Sequence, residues 1–263
     1  MQVAGKTVLI TGASEGIGAA CLQAFRARGA ARLVLVARNR GKLQSLAQPG
    51  DVVVTCDLLD PAARRTLITQ ALAQSDSRLD ILVNNAGIGL YAPSTDAEER
   101  DVRAMFELNF FAAIDLATQA VPVMRRQGSG CIVNVSSIAG RVPLPWFTLY
   151  SATKAALSSF TAGLRMELAG TGIHVMEVCP GYVHTDFQQH VLGGTPPEAL
   201  RKAKSFAITP SRCARDIVIG VERDMRTVVT PPAGRLLIAA LGLAPGLIES
   251  RLTRMNRGLE PPS

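Results

Sequence analysis

Leu9-Ile-Thr-Gly-Ala-Ser-Glu-Gly-Ile-Gly18 is the stretch whose reading decides the fold. Leading into it, Thr7-Val-Leu-Ile10 is a short apolar, β-rich run that reads as a buried strand. Beyond it, Ile17, Ala20, Cys21, Ala24 and Phe25 recur at helical spacing, which predicts a helix ending near Gly29. Gly12, Gly16 and Gly18 then occupy a strand-to-helix turn, where the missing Cβ permits a tight bend and close approach of a ligand. A helix N-terminus leaves N–H groups unpaired and carries a partial positive charge. A pyrophosphate is the natural occupant of such a turn. An ordinary glycine-rich βα turn would look the same, so the rest of the chain has to decide.

The chain has 263 residues, 48% hydrophobic and 19% charged, which suits one large α/β domain with a well-buried core and excludes a disordered chain. The longest nearly apolar run, Leu236 to Ile248, contains Pro245 and is too short to span a bilayer. No leader-like segment opens the sequence. The five cysteines (Cys21, Cys56, Cys131, Cys179 and Cys213) show no CxxC spacing. They read as small buried residues in a reducing cytoplasm, not as a disulfide framework or metal site. The net charge is +7. With no dense basic run and no nucleic-acid-binding motif, this predicts a soluble basic surface and no nucleic-acid partner.

Strand-like segments at 7–11, 32–37, 52–56, 81–84, 131–136, 174–179 and 227–230 alternate with helix-like ones. Near-continuous apolar strands in such an alternation predict a mostly parallel seven-stranded sheet covered on both faces, the doubly wound dinucleotide fold. One domain, residues 1–232, is expected. Residues 233–263 lie outside the alternation as an apolar and basic tail.

Functional candidates gather at the C-terminal ends of these strands, where open α/β sheets bind ligands. Strand two ends at Arg38, and no acid lies between Arg32 and Leu46. An acid there would hold a ribose 2′-hydroxyl, whereas an arginine accommodates a 2′-phosphate, so NADP(H) is the expected cofactor. Glu15, inside the glycine turn, works mildly against this. Asp57 ends strand three and suits either an adenine amino group or the cap of a helix near Pro61. Strand four ends in Asn84-Asn-Ala-Gly87, which fits a loop hugging a ligand or any tight turn. Thr95-x-x-Glu98 matches a capping box ahead of a long helix. In that helix Asn109 stands among Leu108, Phe110 and Phe111, a poor mid-helix residue with polar atoms to satisfy. Pro122 should kink or end the helix.

Strand five delivers Ser136 and Ser137 to the sheet edge. Tyr150-Ser-Ala-Thr-Lys154 follows at the start of a helix running to about Leu168. Residues four apart share a helix face, so the phenol and the ammonium are neighbours. A nearby cation is expected to lower the phenol's pKa and make Tyr150 a usable acid or base.

Taken together, Thr11-Gly-x-x-x-Gly-Ile-Gly18, Asn84-Asn-Ala-Gly87, Asn109, Ser137, Tyr150-x-x-x-Lys154 and Pro180-Gly181 resemble the short-chain dehydrogenase/reductases in order and spacing. The resemblance runs from residue 5 to about 186. It implies a single Rossmann domain and a nicotinamide cofactor, with Ala37-Arg38 similar to the NADP(H)-preferring members. Tyr150 would exchange a proton with a carbonyl or alcohol oxygen, Lys154 would lower its pKa and hold the nicotinamide ribose, Ser137 would bind the substrate oxygen, and Asn109 would anchor a relay water. Cofactor contacts would fall on Gly12, Ser14, Gly16, Ile17, Gly18, Arg38, Asp57, Asn84, Ala86, Gly87, Pro180, Gly181, Val183 and Thr185, besides Tyr150 and Lys154.

The ending departs from many reductases of the family: Val228-Val-Thr-Pro-Pro232 precedes a tail carrying Arg235, Arg251, Arg254 and Arg257. That looks more like the hydroxysteroid-dehydrogenase-like and carbonyl-reductase branches. The expected activity is NADPH-dependent reduction of a lipophilic carbonyl, reversible as alcohol oxidation. A 3-oxoacyl-carrier-protein reductase and a non-catalytic NADP(H)-binding regulator are the alternatives. A substrate loop over 186–209 and Arg141-Val-Pro-Leu-Pro-Trp-Phe147 would wall the pocket, with Trp146 and Phe147 lining it. The tail is expected to pack on the domain or a partner subunit, with peripheral contact to anionic lipid as the other reading. Ala152, Ala155, Ala156, Ser159 and Gly163 form a small-residue stripe, and the family's habit implies a homodimer or homotetramer.

Overall fold

All five residues of strand β1 (Thr7–Thr11) are buried, so the strand needs cover on both faces. The computed structural model describes residues 1–194 and 207–256. In it β1 lies inside a seven-stranded sheet with β2 (Arg32–Ala37), β3 (Val52–Thr55), β4 (Ile81–Asn84), β6 (Gly130–Val135), β7 (Ile173–Pro180) and β9 (Thr227–Thr230). The order is β3-β2-β1-β4-β6-β7-β9, and every pairing is parallel. Strand order reverses between β1 and β4, which opens the crevice typical of doubly wound sheets.

Two apolar layers sandwich the sheet. On one side Cys21, Leu22 and Phe25 of α1 (Gly16–Arg26) pack with Cys213, Ile217 and Val221 of α8 (Pro210–Glu222). On the other, Leu67 and Ile68 of α4 (Leu67–Ala73) join Leu116, Ala120 and Met124 of α6 (Ala112–Gln127). Leu164 of α7 (Thr148–Glu167) joins the same layer. All five cysteines are buried within these layers or beside them, as thiols.

Three local readings need correction. The capping box does not form: Thr95 bonds Asp96 instead, and α5 (Glu99–Phe106) starts after Glu98 without a side-chain cap. Pro122 does not end its helix, because α6 runs on to Gln127. Pro122 and Thr118, whose carbonyl loses its partner, both face solvent, while Val123 and Met124 continue the buried face. The tail is the third. It forms α9 (Gly234–Leu243) and α10 (Pro245–Asn256), and Gly234 alone among its described residues is buried. The domain therefore covers only its root and a half-buried side that includes Ile238, Leu241, Ile248 and Leu252, while the other half of the expectation, packing on a partner subunit, concerns a second copy.

The small-residue stripe on α7 also faces away from the sheet: Ala152, Ala155 and Ser159 are exposed. Within the 186–209 loop, Asp186–His190 forms a 3-10 helix, and β8 (Leu192–Gly193) pairs with β5 (Leu90–Tyr91). Residues 195–206 of that loop lie outside the described residues.

Candidate active site

The glycine turn between β1 and α1 is built as the sequence suggests. Gly12 and Gly16 take φ of 64° and 55°, a region that L side chains rarely adopt. A Cβ on Gly18 would run into the Gly12 carbonyl. The Thr11 hydroxyl accepts from the Asn85 and Ala86 amides at 2.9 and 3.1 Å, which ties the loop after β4 to this turn. Thr185 lies across the turn, 3.2 Å from where a Gly16 Cβ would stand. Ser14 and Ile17 are half-buried between these walls. Glu15 gives α1 no side-chain cap, whereas Asn39, Asp60 and Thr209 cap α2 (Arg40–Leu46), α3 (Pro61–Arg64) and α8. The amides at the start of α1 are thus left to accept an anion.

Arg38 and Asp57 stand on neighbouring strand ends, where the Cys56 amide donates to the Ala37 carbonyl at 3.1 Å. Both are exposed. No ion pair engages the Arg38 guanidinium among the described residues. Glu15 is occupied by Lys42 at 3.0 Å and His190 at 3.4 Å, so its charge is offset rather than aimed at Arg38. Asp57 accepts from the Leu59 amide at 3.0 Å, and Asp60 rather than Asp57 caps α3. The Asn84 amide group turns sideways into the sheet, donating to Asn134 at 2.9 Å.

Four side chains meet beyond β4 and β6. Lys154 is buried and donates to the Val135 carbonyl at 2.9 Å. Its ammonium lies 5.7 Å from the centre of the Tyr150 ring. Ser137 hydrogen-bonds the Tyr150 phenol and receives the Ala139 amide at 3.1 Å. Asn109 sits in one π-helical turn (Glu107–Phe111). It exchanges two hydrogen bonds of 2.9 Å with the backbone of Ile88, and donates to Thr153 at 3.0 Å. Thr153 in turn donates to the Tyr150 carbonyl at 2.8 Å. A Cβ on Gly87 would lie 3.0 Å from Asn109 Oδ1 and 3.4 Å from Lys154 Nζ, so this glycine lets the groups converge. Pro180 ends β7 against Ser137, Gly181 follows it, and Val183 bridges to Ile208.

The electrostatics differ from the expectation for Tyr150. Burial pushes its phenol well above the ordinary value, and the Ser137 hydrogen bond recovers only part of that. Lys154 cannot reverse the balance, because burial pushes its own amine down to about 8. Tyr150 is therefore a protonated donor and not a preformed phenolate.

An aromatic stack covers this phenol. Phe147 lies flat between Tyr91, at 4.5 Å between centroids, and Tyr150, at 4.1 Å. Phe187 meets Tyr150 edge-on at 5.9 Å. A left-handed turn at Trp146, φ 65°, with its carbonyl held by the Ala92 amide, precedes Phe147. Phe147, rather than Trp146, is thus the ring on the reacting group. Tyr91 and Phe187 were not legible as site residues, since pairings between distant segments, β5 with β8 and Ala92 with Trp146, bring them together.

Residues 6–193 match the short chain dehydrogenase family, and the protein belongs to it. It is 33% identical over 260 residues to dehydrogenase/reductase SDR family member 7B of Bos taurus, spanning 93% of this chain and 79% of that one. It is 35% identical over 258 residues to ketoacyl reductase HetN of Nostoc sp., spanning 93% and 87%. Against 11-beta-hydroxysteroid dehydrogenase 1A of Arabidopsis thaliana the identity is 33% over 261 residues, spanning 93% and 74%. A short chain dehydrogenase from Burkholderia cenocepacia in complex with NADP superposes with a TM-score of 0.81 at 27% identity, covering 96% of this chain and 99% of that one. A Burkholderia phymatum relative in complex with NAD superposes at 0.85 with 23% identity, covering 94% and 96%, a likeness of fold alone.

The buried amine makes a stability prediction. The folded value of Lys154 lies below the ordinary 10.5, so between about 8 and 10.5 the unfolded chain binds a proton that the folded one releases. Stability conferred by this site therefore rises with pH across that window. Lys154→Met should melt no lower than the natural protein at pH 7, and the natural protein should gain on it as pH climbs through that window. Thermal denaturation in which the natural protein loses ground instead would contradict the burial of a charge here.

Proposed function

We propose that the protein is an NADPH-dependent carbonyl reductase, reversible as an alcohol dehydrogenase, acting on a lipophilic ketone or alcohol. The observation that carries this is the meeting of Ser137, Tyr150, Lys154 and Asn109 beside an uncapped helix N-terminus in a glycine turn. The residues present suit a nicotinamide dinucleotide. The free amides of α1 would take the pyrophosphate, Gly18 keeps the turn tight by packing on the Gly12 carbonyl, and Arg38 would take a 2′-phosphate. Bound there, the cofactor would supply a hydride to the carbonyl carbon.

The chain's own residues would do the rest. Ser137 donates a hydrogen bond to the substrate oxygen and orients it toward the phenol. Tyr150, kept protonated by burial, gives its proton to that oxygen as negative charge develops on it. The Lys154 ammonium stabilises the phenolate left behind, which is where a buried cation acts most strongly. Asn109 holds the loop after β4 and, through Thr153, the first turn of α7; the family gives it the relay water. The Tyr91–Phe147–Tyr150 stack and Phe187 favour an apolar substrate. The hydroxysteroid dehydrogenase relative agrees with this, and the NADP-bound relative agrees with the cofactor. The Nostoc ketoacyl reductase favours a second reading, reduction of a 3-oxoacyl thioester on an acyl carrier. The outward stripe on α7, with Met166 exposed further along the same helix and Phe111 exposed in the π-helical turn, suits a second copy, which the mass in light scattering would report.

Tyr150→Phe should lower kcat by about 100-fold or more while NADPH still binds, because only the proton transfer is lost. Near-normal turnover would remove Tyr150 from the reaction. In fluorescence titrations NADPH should bind more tightly than NADH, and Arg38→Asp should shift the ratio by about tenfold or more toward NADH. Equal affinities in the unaltered protein would overturn the assignment of Arg38. Ketosteroids or aryl ketones should exceed sugars and acyl thioesters in kcat/KM, and Phe147→Ala should raise KM for the bulky ketones about tenfold, with a smaller effect on small ones. An acyl-carrier thioester as best substrate would select the second reading.

A further inference from the structure

Four of the six large hydrophobic side chains that stand exposed on the described residues belong to the tail: Leu236, Leu237, Leu243 and Leu247, exposed by 75%, 42%, 87% and 74%. Helix α9 is rich in leucine, with Leu236, Leu237 and Leu243 exposed and Ile238, Ala240 and Leu241 half-buried. Leu236 and Leu243 fall on one face, Leu237 and Leu241 on another, Ile238 on a third, and Arg235 in the first turn is its only charge. Its exposed leucine faces need cover. A second protein surface covers one face of a helix; a lipid leaflet covers every face that the domain leaves open. The length agrees, since ten residues make about 15 Å of helix, half of a hydrocarbon core of about 30 Å. Among the described residues no single helix is long and apolar enough to cross a membrane, and α9 turns by 112° into α10. At the bend the Ala244 amide donates to the Ala240 carbonyl at 2.9 Å and the Ala244 carbonyl accepts from the Leu247 amide at 3.2 Å, so the amide and carbonyl of Ala244 stay paired through the turn. Helix α10 is amphipathic: Ile248 and Leu252 share a half-buried face, while Arg251 and Arg254 are exposed. Across Gly234–Asn256 three arginines stand against one acid, Glu249, a balance that complements anionic headgroups.

We propose that α9 and α10 are a membrane-docking device, in which α9 enters one leaflet of an anionic bilayer and α10 lies on its headgroups. The docking stands on the tail alone and does not depend on the reaction. Its place in the fold links the two: Gly234, where α9 begins, is packed on Ile138, the residue after Ser137. Docking therefore brings the candidate active site to the lipid surface, where a lipophilic ketone is concentrated.

The test is sedimentation of the full chain with vesicles of phosphatidylcholine alone and of phosphatidylcholine mixed with phosphatidylglycerol. The protein should pellet with the mixed vesicles, more weakly with the neutral ones, and less at high salt. Leu236→Asp with Leu243→Asp should reduce binding by about tenfold or more, and Arg251→Glu with Arg254→Glu should abolish the preference for anionic lipid. Both variants should keep NADPH oxidation on a water-soluble ketone, which separates a failed docking from a failed reading of the site. A natural protein left in the supernatant with both vesicles would overturn the proposal. So would an oligomer, seen by light scattering, that the leucine variants dissociate while vesicle binding is unchanged; the tail would then be a contact between copies.

Discussion

A single buried ammonium organises the functional end of this sheet. Lys154 takes one backbone acceptor, the Val135 carbonyl at the end of β6, and the surrounding loops are shaped around it. A side chain on Gly87 would press on its Nζ, and one on Gly140 would press on its carbonyl, which also accepts from Ser136 at 2.9 Å. Asn109 fixes the same neighbourhood from the other side, through Ile88 and Thr153. Burying such a charge costs stability, as the fall of its pKa to about 8 records. A fold selected for stability alone would place a methionine there. The cost makes sense where charge appears beside it during a reaction.

That view also reorders the roles of the tyrosine and the lysine. Helical spacing suggests a cation that acidifies a phenol. Burial dominates instead: Phe147 and Phe187 cover Tyr150, desolvation raises its phenol, and the hydrogen bond from Ser137 offsets only part of that. In the proposed reaction the pair serves as an acid with a stabiliser for its conjugate base. The same aromatic cover that raises the phenol also lines its surroundings with apolar surface.

The fold was legible because parallel strands buried on both faces leave a strong signal. Leu33-Val-Leu-Val and Cys131-Ile-Val-Asn-Val could hardly be placed otherwise, and the seven strands fall within a residue or so of their expected bounds. The glycine turn and the Tyr150–Lys154 spacing were legible because each depends on neighbours in sequence. What depends on distant segments was not. Tyr91 meets Phe147 where the Ala92 amide bonds the Trp146 carbonyl, and Asn109 in its π-helical turn is bonded to the Ile88 backbone. Pro122 misleads because a buried face carries α6 past its proline, and Thr95 for a purely local reason, its neighbour Asp96 taking the hydroxyl before it can cap α5. The tail's apolar character was plain in the sequence, while its exposure is a fact of the fold.

The central claim is that this constellation turns over a carbonyl and does not merely hold a dinucleotide. The direct measurement is a single-turnover experiment: protein saturated with NADPH is mixed with a bulky aryl ketone, and the loss of the reduced nicotinamide is followed in time. The account predicts one equivalent of NADPH consumed per site, with the matching alcohol recovered. Tight binding of NADPH with no consumption across ketosteroids, aryl ketones, sugars and acyl thioesters would contradict it and leave a protein that only senses the cofactor.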